Sequence, residues 1–170
     1  IMNCLNSSKY LREAIDSVYA QTYKDLEIIF WDNVSTDNSA DIARSYDGRL
    51  RYFRGEKTLP LYAARNLALK KTRGEYIAFL DCDDMWLPKK LELQVKAIEE
   101  NKNVGLLHTN AEILEHDGAR RILHKKVLSS GRVFRDILKD YRINLQTVMI
   151  TKKVLELLDY GFDESMNHAG

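Results

Sequence analysis

The sequence predicts an α/β fold, a three-layer α/β/α sandwich whose central sheet is mostly parallel, and three observations carry that reading. Two compact apolar runs, 26–31 and 76–80, have strand length and almost no polar residues, as suits strands buried on both faces. Stretches with apolar side chains at helical spacing lie between and after them. The two patterns alternate along the first hundred residues, which is the signature of parallel strands joined by crossover helices.

Taken in order, Ile1 and Met2 read as the end of a first strand whose beginning is missing. Ser7 or Ser8 suits the cap of a helix that places Leu11, Ile15, Val18 and Tyr19 on one side, up to about Thr22. Run 26–31, interrupted only by Glu27, is the second strand and ends on Asp32. Ser35, Thr36, Asp37 and Asn38 offer caps for a helix to about Ser45, and 50–53 is a third strand. Pro60 suits the first turn of a helix carrying Leu61, Ala64, Leu67 and Ala68, with Gly74 expected to end it. Strand 76–80 stops on Asp81, Asp83 and Asp84, and Pro88 opens a helix with Leu91, Val95 and Ile98 on one face.

The alternation fades past residue 104. Runs 104–107, 111–116 and 119–123 read as strands, the last two joined by Asp117-Gly118 as a two-residue hairpin turn. A short helix at 133–138, a strand at 146–150 and a closing helix at 153–158 make the second half mixed α+β. With no repeats or linkers, 1–170 reads as one domain, in which 1–100 is the ligand-binding half and 101–170 an incomplete second half. The abrupt ends, at Ile1 and at Gly170, predict a fragment of a longer polypeptide.

Composition narrows the function. At 170 residues, 45% of them hydrophobic, the chain is long enough to bury a core without staples. Its 26 basic and 25 acidic side chains nearly cancel, which argues against a dedicated nucleic-acid binder. Cys4 and Cys82 form no Cys-x-x-Cys pattern, so neither a zinc site nor a disulfide framework is predicted, and a reducing cytosol is the default. No stretch has the roughly 18 to 20 apolar residues of a spanning helix, so any membrane contact is expected to be peripheral or to use segments outside this sequence.

The chemistry points to the strand ends. Open α/β sheets bind ligands beyond the carboxyl ends of their strands, where Asp32 and the 81–84 cluster converge with Asn3 and Asn6. Three carboxylates so close together repel one another unless a cation intervenes, and carboxylate oxygens suit Mg²⁺ or Mn²⁺ carrying a phosphorylated ligand. Asp32 and Asn33 taken alone read as a helix-initiating turn, where Asp and Asn are common without function. Arg65 has two readings, a phosphate contact or an internal salt bridge. Trp86 reads as core packing before Pro88, Cys82 as a small filler, and Lys125-Lys126 as a solvated pair. His108, His116, His124 and His168 lack metal-ligand spacing and read as structural.

A colinear set of motifs then resembles the family 2 glycosyltransferases. It runs through Asn6, Tyr10-Leu11, Ala14-Ile15-Asp16-Ser17-Val18, Gln21-Thr22-Tyr23, Glu27-Ile28-Ile29, Asp32 and Ser35-Thr36-Asp37. Ala64-Arg65-Asn66, Gly74-Glu75-Tyr76-Ile77, the run from Leu80 through Asp81-Cys82-Asp83-Asp84 to Pro88, and a weaker match at Gly161-Phe162-Asp163-Glu164 continue it. The resemblance implies a GT-A (Rossmann-like) fold that moves a sugar from a nucleoside-diphosphate donor to an acceptor hydroxyl, usually with inversion. It places Asp81-Cys82-Asp83 at the family's Asp-x-Asp motif, with Asp83 as principal ligand of a bridging Mn²⁺ or Mg²⁺ and Asp81 near the ribose or metal. By the same resemblance Asp84 assists at the donor sugar, Asn3, Cys4 and Leu5 touch base and ribose, and Asp32 or Asn33 reads the base. The chain departs from the pattern at Asn33, where a second acid is usual, at Leu5, where an aromatic is common, and in lacking a glycine between Thr58 and Tyr62. The catalytic base of the family falls beyond the stretch matching 161–164, so it is expected past Gly170.

The expected partners are a nucleotide-sugar donor and a saccharide or lipid-linked acceptor, in surface polysaccharide or lipopolysaccharide synthesis at the cytoplasmic face of a membrane. Two alternatives compete. A noncatalytic nucleotide-sugar-binding fragment follows if the base is missing. A haloacid dehalogenase-type phosphohydrolase also places Asp-x-Asp after an apolar strand, but on its first strand and followed by Thr or Val, where this chain has Met85.

Overall fold

The computed structural model describes residues 1–115, 117–158 and 161–165. In chain order the elements are β1 (Met2–Cys4), α1 (Leu11–Tyr19), β2 (Ile28–Asp32), α2 (Ser39–Arg44), β3 (Leu50–Arg54), α3 (Leu61–Leu69), β4 (Tyr76–Ala78) and α4 (Lys90–Glu100). They continue with β5 (Leu106–Leu107), β6 (Glu112–Leu114), β7 (Arg120–Ile122), α5 (Phe134–Lys139), a 3₁₀ turn (Leu145–Thr147), β8 (Met149–Thr151) and α6 (Lys152–Leu157).

β1, β2 and β3 form a parallel ladder in which Cys4 lies opposite Asp32 and Asp32 opposite Arg54. β4, β8 and β5 form an antiparallel one, with β8 in the middle. The two ladders meet at Ile1, whose amino group donates to the Ala78 carbonyl at 2.8 Å and whose carbonyl accepts from the Leu80 N–H at 3.0 Å. That is the bonding pattern of parallel neighbours, so the strands run in the order β3-β2-β1-β4-β8-β5. The first four point one way, and their carboxyl ends share one rim.

β2 is buried at all five positions and divides its side chains between two layers. Ile28 and Phe30 pack with Leu11, Ile15 and Val18 of α1 and with Ile42 and Ala43 of α2. Ile29 and Trp31 pack on the other side with Ala64 and Ala68 of α3. α4 lays Leu91, Val95 and Ile98 against Met149 of β8.

Several local expectations are corrected. α1 starts at Leu11 with Tyr10 as its cap residue, while Ser7 contributes only its carbonyl, which accepts from the Tyr10 and Leu11 N–H groups. Pro60 is the cap of α3 rather than part of its first turn, and α3 ends at Leu69, so Gly74 belongs to the following loop. Lys70 keeps a right-handed conformation there, which requires no glycine. The hairpin β6-β7 forms, but Leu114 pairs with Arg120 and the Glu115 N–H donates to the Ala119 carbonyl, a register that a two-residue Asp117-Gly118 turn would not give. Gly118 takes φ +84° and its N–H donates to the Glu115 carbonyl. Residues 146 and 147 belong to the 3₁₀ turn, capped by the Asn144 side chain accepting from the Gln146 N–H, and the strand begins at Met149.

Candidate functional site

The rim is built from three connections. The loop after β1 is stapled to the loop after β2 by Asn6, whose side-chain oxygen accepts from the Thr36 N–H at 2.8 Å and the Asp37 N–H at 3.3 Å. Asp37 in turn accepts from the N–H groups of Ser8 and Ser39, which starts α2. Asn6 sits at φ +54° and Val34 at φ +68°. The first is tolerated by asparagine, whereas the second strains a β-branched residue beside Asp32 and Asn33.

Asp32 is fully buried, and its carboxylate is saturated. One oxygen accepts from the Ser35 N–H at 2.7 Å; the other accepts from the Tyr52 hydroxyl at 2.5 Å and from Arg54 at 2.6 Å. Burial pushes this carboxyl up, but the Tyr52 hydroxyl, Ser35 and the Arg54 guanidinium together hold it below the ordinary carboxylate range. Asn33 turns its amide to the main chain of Leu59, donating to the carbonyl at 2.8 Å and accepting from the N–H at 3.1 Å, and so fixes the approach to α3. On β1, the Asn3 carboxamide nitrogen is buried without a hydrogen-bond partner among the described residues, Cys4 is buried, and Leu5 is about half exposed.

The acids after β4 divide. Asp81 accepts from Arg65 at 3.0 Å and from the Gln146 side chain, whereas Asp83 and Asp84 face solvent. Partial burial, then the charges of Asp83 and Asp81, push the Asp84 carboxyl upward. Cys82, between them, is buried and donates to the Asn3 carbonyl at 3.3 Å; its thiol is pushed well up by its bond to Cys4, by burial and by the neighbouring carboxylates. Arg65 is buried, pairs with Asp81, and lies over the rings of Phe162 and Tyr62. Of its two readings, the ion pair is the one its side chain adopts.

The structure brings Asn3, Cys4, Leu5, Asp32, Asn33, Asp81, Cys82, Asp83 and Asp84 to one end of the sheet, at the ends of the neighbouring strands β1, β2 and β4, and Arg65 joins them from α3. A cavity of about 490 Å³ lies elsewhere, at the amino ends of β2 and β4, and none of these residues lines it. Among the described residues no group of three or more His, Cys, Asp or Glu is placed to hold a metal. A hard cation there would draw on Asp83 and Asp81 and take its remaining ligands from a bound phosphate, as Mg²⁺ commonly does. His116 and His168 lie outside the described residues.

Sequence reasoning gave no role to Arg54, Tyr52, Gln146 or Asn66. Arg54 and Tyr52 come from β3, and only the cross-strand register with Asp32 exposes them. Gln146 arrives from 65 residues away and carries no local signal. Asn66 does have one, its place in the Ala-Arg-Asn segment. Its amide donates to the Phe162 carbonyl at 2.9 Å and to Glu164 at 3.0 Å and accepts from the Phe162 N–H at 2.8 Å, so two separate motifs of the sequence clasp each other. Asp163 accepts from Ser165 within that loop and Glu164 from Asn66 of α3, so both carboxylates are engaged.

Residues 1–152 match the profile described as Glycosyl transferase family 2. An uncharacterized glycosyltransferase of Rickettsia felis is 38% identical over 153 residues, which is 89% of this chain and 25% of the relative. The Escherichia coli UDP-Glc:alpha-D-GlcNAc-diphosphoundecaprenol beta-1,3-glucosyltransferase WfgD is 31% identical over 163 residues, 95% of this chain and 63% of the relative. The chain thus spans between a quarter and two thirds of the length of these curated relatives. Among solved structures, S. aureus TarS 1-349 in complex with UDP superposes with a TM-score of 0.80 at 24% identity, covering 99% of this chain and 51% of that 1-349 chain. The mannosyltransferase PcManGT of Pyrobaculum calidifontis, in complex with GDP-Man and Mn²⁺, superposes with a TM-score of 0.72 at 20% identity, covering 97% and 47%. These two likenesses show the fold, which is GT-A, and the sequence match removes the phosphohydrolase alternative. The chain belongs to glycosyl transferase family 2.

Proposed function

We propose that this chain is the donor-binding part of a glycosyltransferase that moves a sugar from a nucleoside diphosphate to an acceptor hydroxyl, with inversion and with help from Mn²⁺ or Mg²⁺. The observation that carries it is the pair Asp83 and Asp84, two exposed carboxylates at a strand end beside the Asn3–Leu5 and Asp32–Asn33 connections. When bound, the metal neutralises charge that develops on the departing diphosphate. Asp83 is the free carboxylate that holds it. Asp81 serves as the second ligand, set in place by Arg65 and Gln146. Asp84 faces the donor sugar.

Base and ribose meet Asn3, Cys4 and Leu5, where the unpaired Asn3 amide is a ready donor. Because Asp32 is saturated and Asn33 is bonded to Leu59, their part in base recognition is to set the shape of that loop. The acceptor is a saccharide or lipid-linked hydroxyl, by analogy with the diphosphoundecaprenol named for the E. coli relative, and the pathway builds cell-surface polysaccharide. We place the work at the cytoplasmic face of a membrane, where such a lipid-linked acceptor would lie; among the described residues no helix is long and apolar enough to cross it.

A thermal-shift panel of UDP, GDP and their sugars, with and without Mn²⁺, tests the reading. A ligand at a hundred times its Kd adds about 2.7 kcal/mol, on the order of 5 °C or more for a chain of this size. A metal-dependent rise with one nucleotide class is expected. A folded sample that responds to none of them contradicts the proposal.

A further inference from the structure

Residues 120–142 hold eight Lys and Arg against two Asp, a balance of +6 in a chain whose total is +1. Three of the arginines are engaged: Arg120 with Glu112, Arg121 with Glu115, and Arg142 with Asp140. The other five cations, Lys125, Lys126, Arg132, Arg135 and Lys139, are exposed and make no salt bridge among the described residues. Apolar side chains stand in water among them. α5 turns Val133 and Ile137 toward the body of the protein and Phe134 and Leu138, also four residues apart, outward at 73% and 71% exposure. Arg135 and Lys139 come next around the same helix. Val127, 96% exposed, follows the lysine pair directly.

Phe134, Leu138 and Val127 cost free energy in water and gain it in an apolar phase, while unpaired cations beside them gain from phosphate. An anionic lipid bilayer offers both, at the depth difference that separates an outward apolar side chain from its flanking Lys and Arg. A second copy of the same surface would bring like charges together, and a nucleic acid would leave the aliphatic side chains without a partner.

We propose that the surface carried by residues 125–139 seats this chain on an anionic bilayer, with Phe134, Leu138 and Val127 entering the acyl boundary and the five free cations at the headgroup phosphates. It deepens the membrane-face reading above and rests on that reading for the biological setting, though not for its physical basis.

The test is co-sedimentation of the 170-residue chain with phosphatidylcholine vesicles and with vesicles containing phosphatidylglycerol, at about 0.1 M salt. Binding to the anionic vesicles is expected, with little to the neutral ones. At about fivefold per cation, Arg135→Gln with Lys139→Gln should weaken it roughly 25-fold. Phe134→Ser with Leu138→Ser should abolish the part that survives high salt. Equal partition onto both vesicles, or no loss in the charge variant, overturns the proposal. So does a dimer that the apolar variant dissolves, or an oligonucleotide that binds as tightly as the anionic vesicles at the same salt. Each variant's thermal response to nucleoside diphosphate is read alongside. A chain that ignores lipid but still responds to nucleotide defeats this inference alone, and the reverse result defeats the donor reading alone.

Discussion

Of the twenty-five buried apolar side chains among the described residues, twenty-two belong to the first hundred positions, and the other three, Val148, Met149 and Ile150, sit in or beside β8. Between Ile98 and Thr147 the chain contributes none, yet it exposes Leu106, Leu114, Ile122, Val127, Phe134, Leu138 and Tyr141. The first region is a layered core that positions Asp32 and Asp81 to within hydrogen-bond distances. The second is a surface layer returning to the sheet through one strand, and its side chains are free to meet something else. A donor site needs rigidity, which the parallel half supplies, whereas contact with varied acceptors or a membrane is best placed on the half that the core does not constrain.

The comparison is broken most directly by the same substitution in each region. Phe30→Ala, at 0% exposure in β2, should cost about 3–5 kcal/mol. Phe134→Ala should stay within about 0.5 kcal/mol. Urea midpoints of the two variants measure the contrast, and similar losses would mean that residues 101–146 are part of the core after all.

Asn66 clasps the first region to the loop at 161–165, and Asn66→Ala leaves both main-chain groups of Phe162 without that partner. A loss of about 1–3 kcal/mol is expected, with new proteolytic cleavage near 161–165. An unchanged digest would remove the clasp from the account. The smallest effect is read by pH. Because the folded-state value of Asp32 lies below that of the unfolded chain, its contribution is complete above about pH 4 and is lost as pH falls further. Wild type should therefore lose more stability between pH 5 and 3 than Asp32→Asn does. Parallel losses would show that Arg54 and Tyr52 do not favour the ionised form.

What the residues disclosed follows the same division. β2, the acid-terminated end of β4 and the faces of α1, α3 and α4 were legible because burial imprints a period on nearby residues. The convergence of Asp32 with Asp81–Asp84 followed from parallel order alone. β8 between β4 and β5 was not legible in that position, since its pairing with β4 spans more than seventy residues and leaves no local pattern. Nor was the 3₁₀ turn before it, which comes from the Asn144 cap rather than from hydrophobicity. At the site, the acids could be read but not their partners: whether Asp32 is free or saturated depends on which residue of β3 stands opposite, and Arg54 does.

That difference between saturated and free carboxylates is the core of the account, and manganese reports it directly. In a titration of Mn²⁺ followed by the EPR signal of the free aquo ion, wild-type chain and nucleoside diphosphate together should remove more signal than the chain alone and the nucleotide alone combined. Asp83→Ala should reduce the mixture to that sum, while Asp32→Asn should leave the excess largely in place. An excess that survives Asp83→Ala, or none in the wild type with any nucleoside diphosphate, would contradict the assignment of Asp83 as the metal-holding carboxylate.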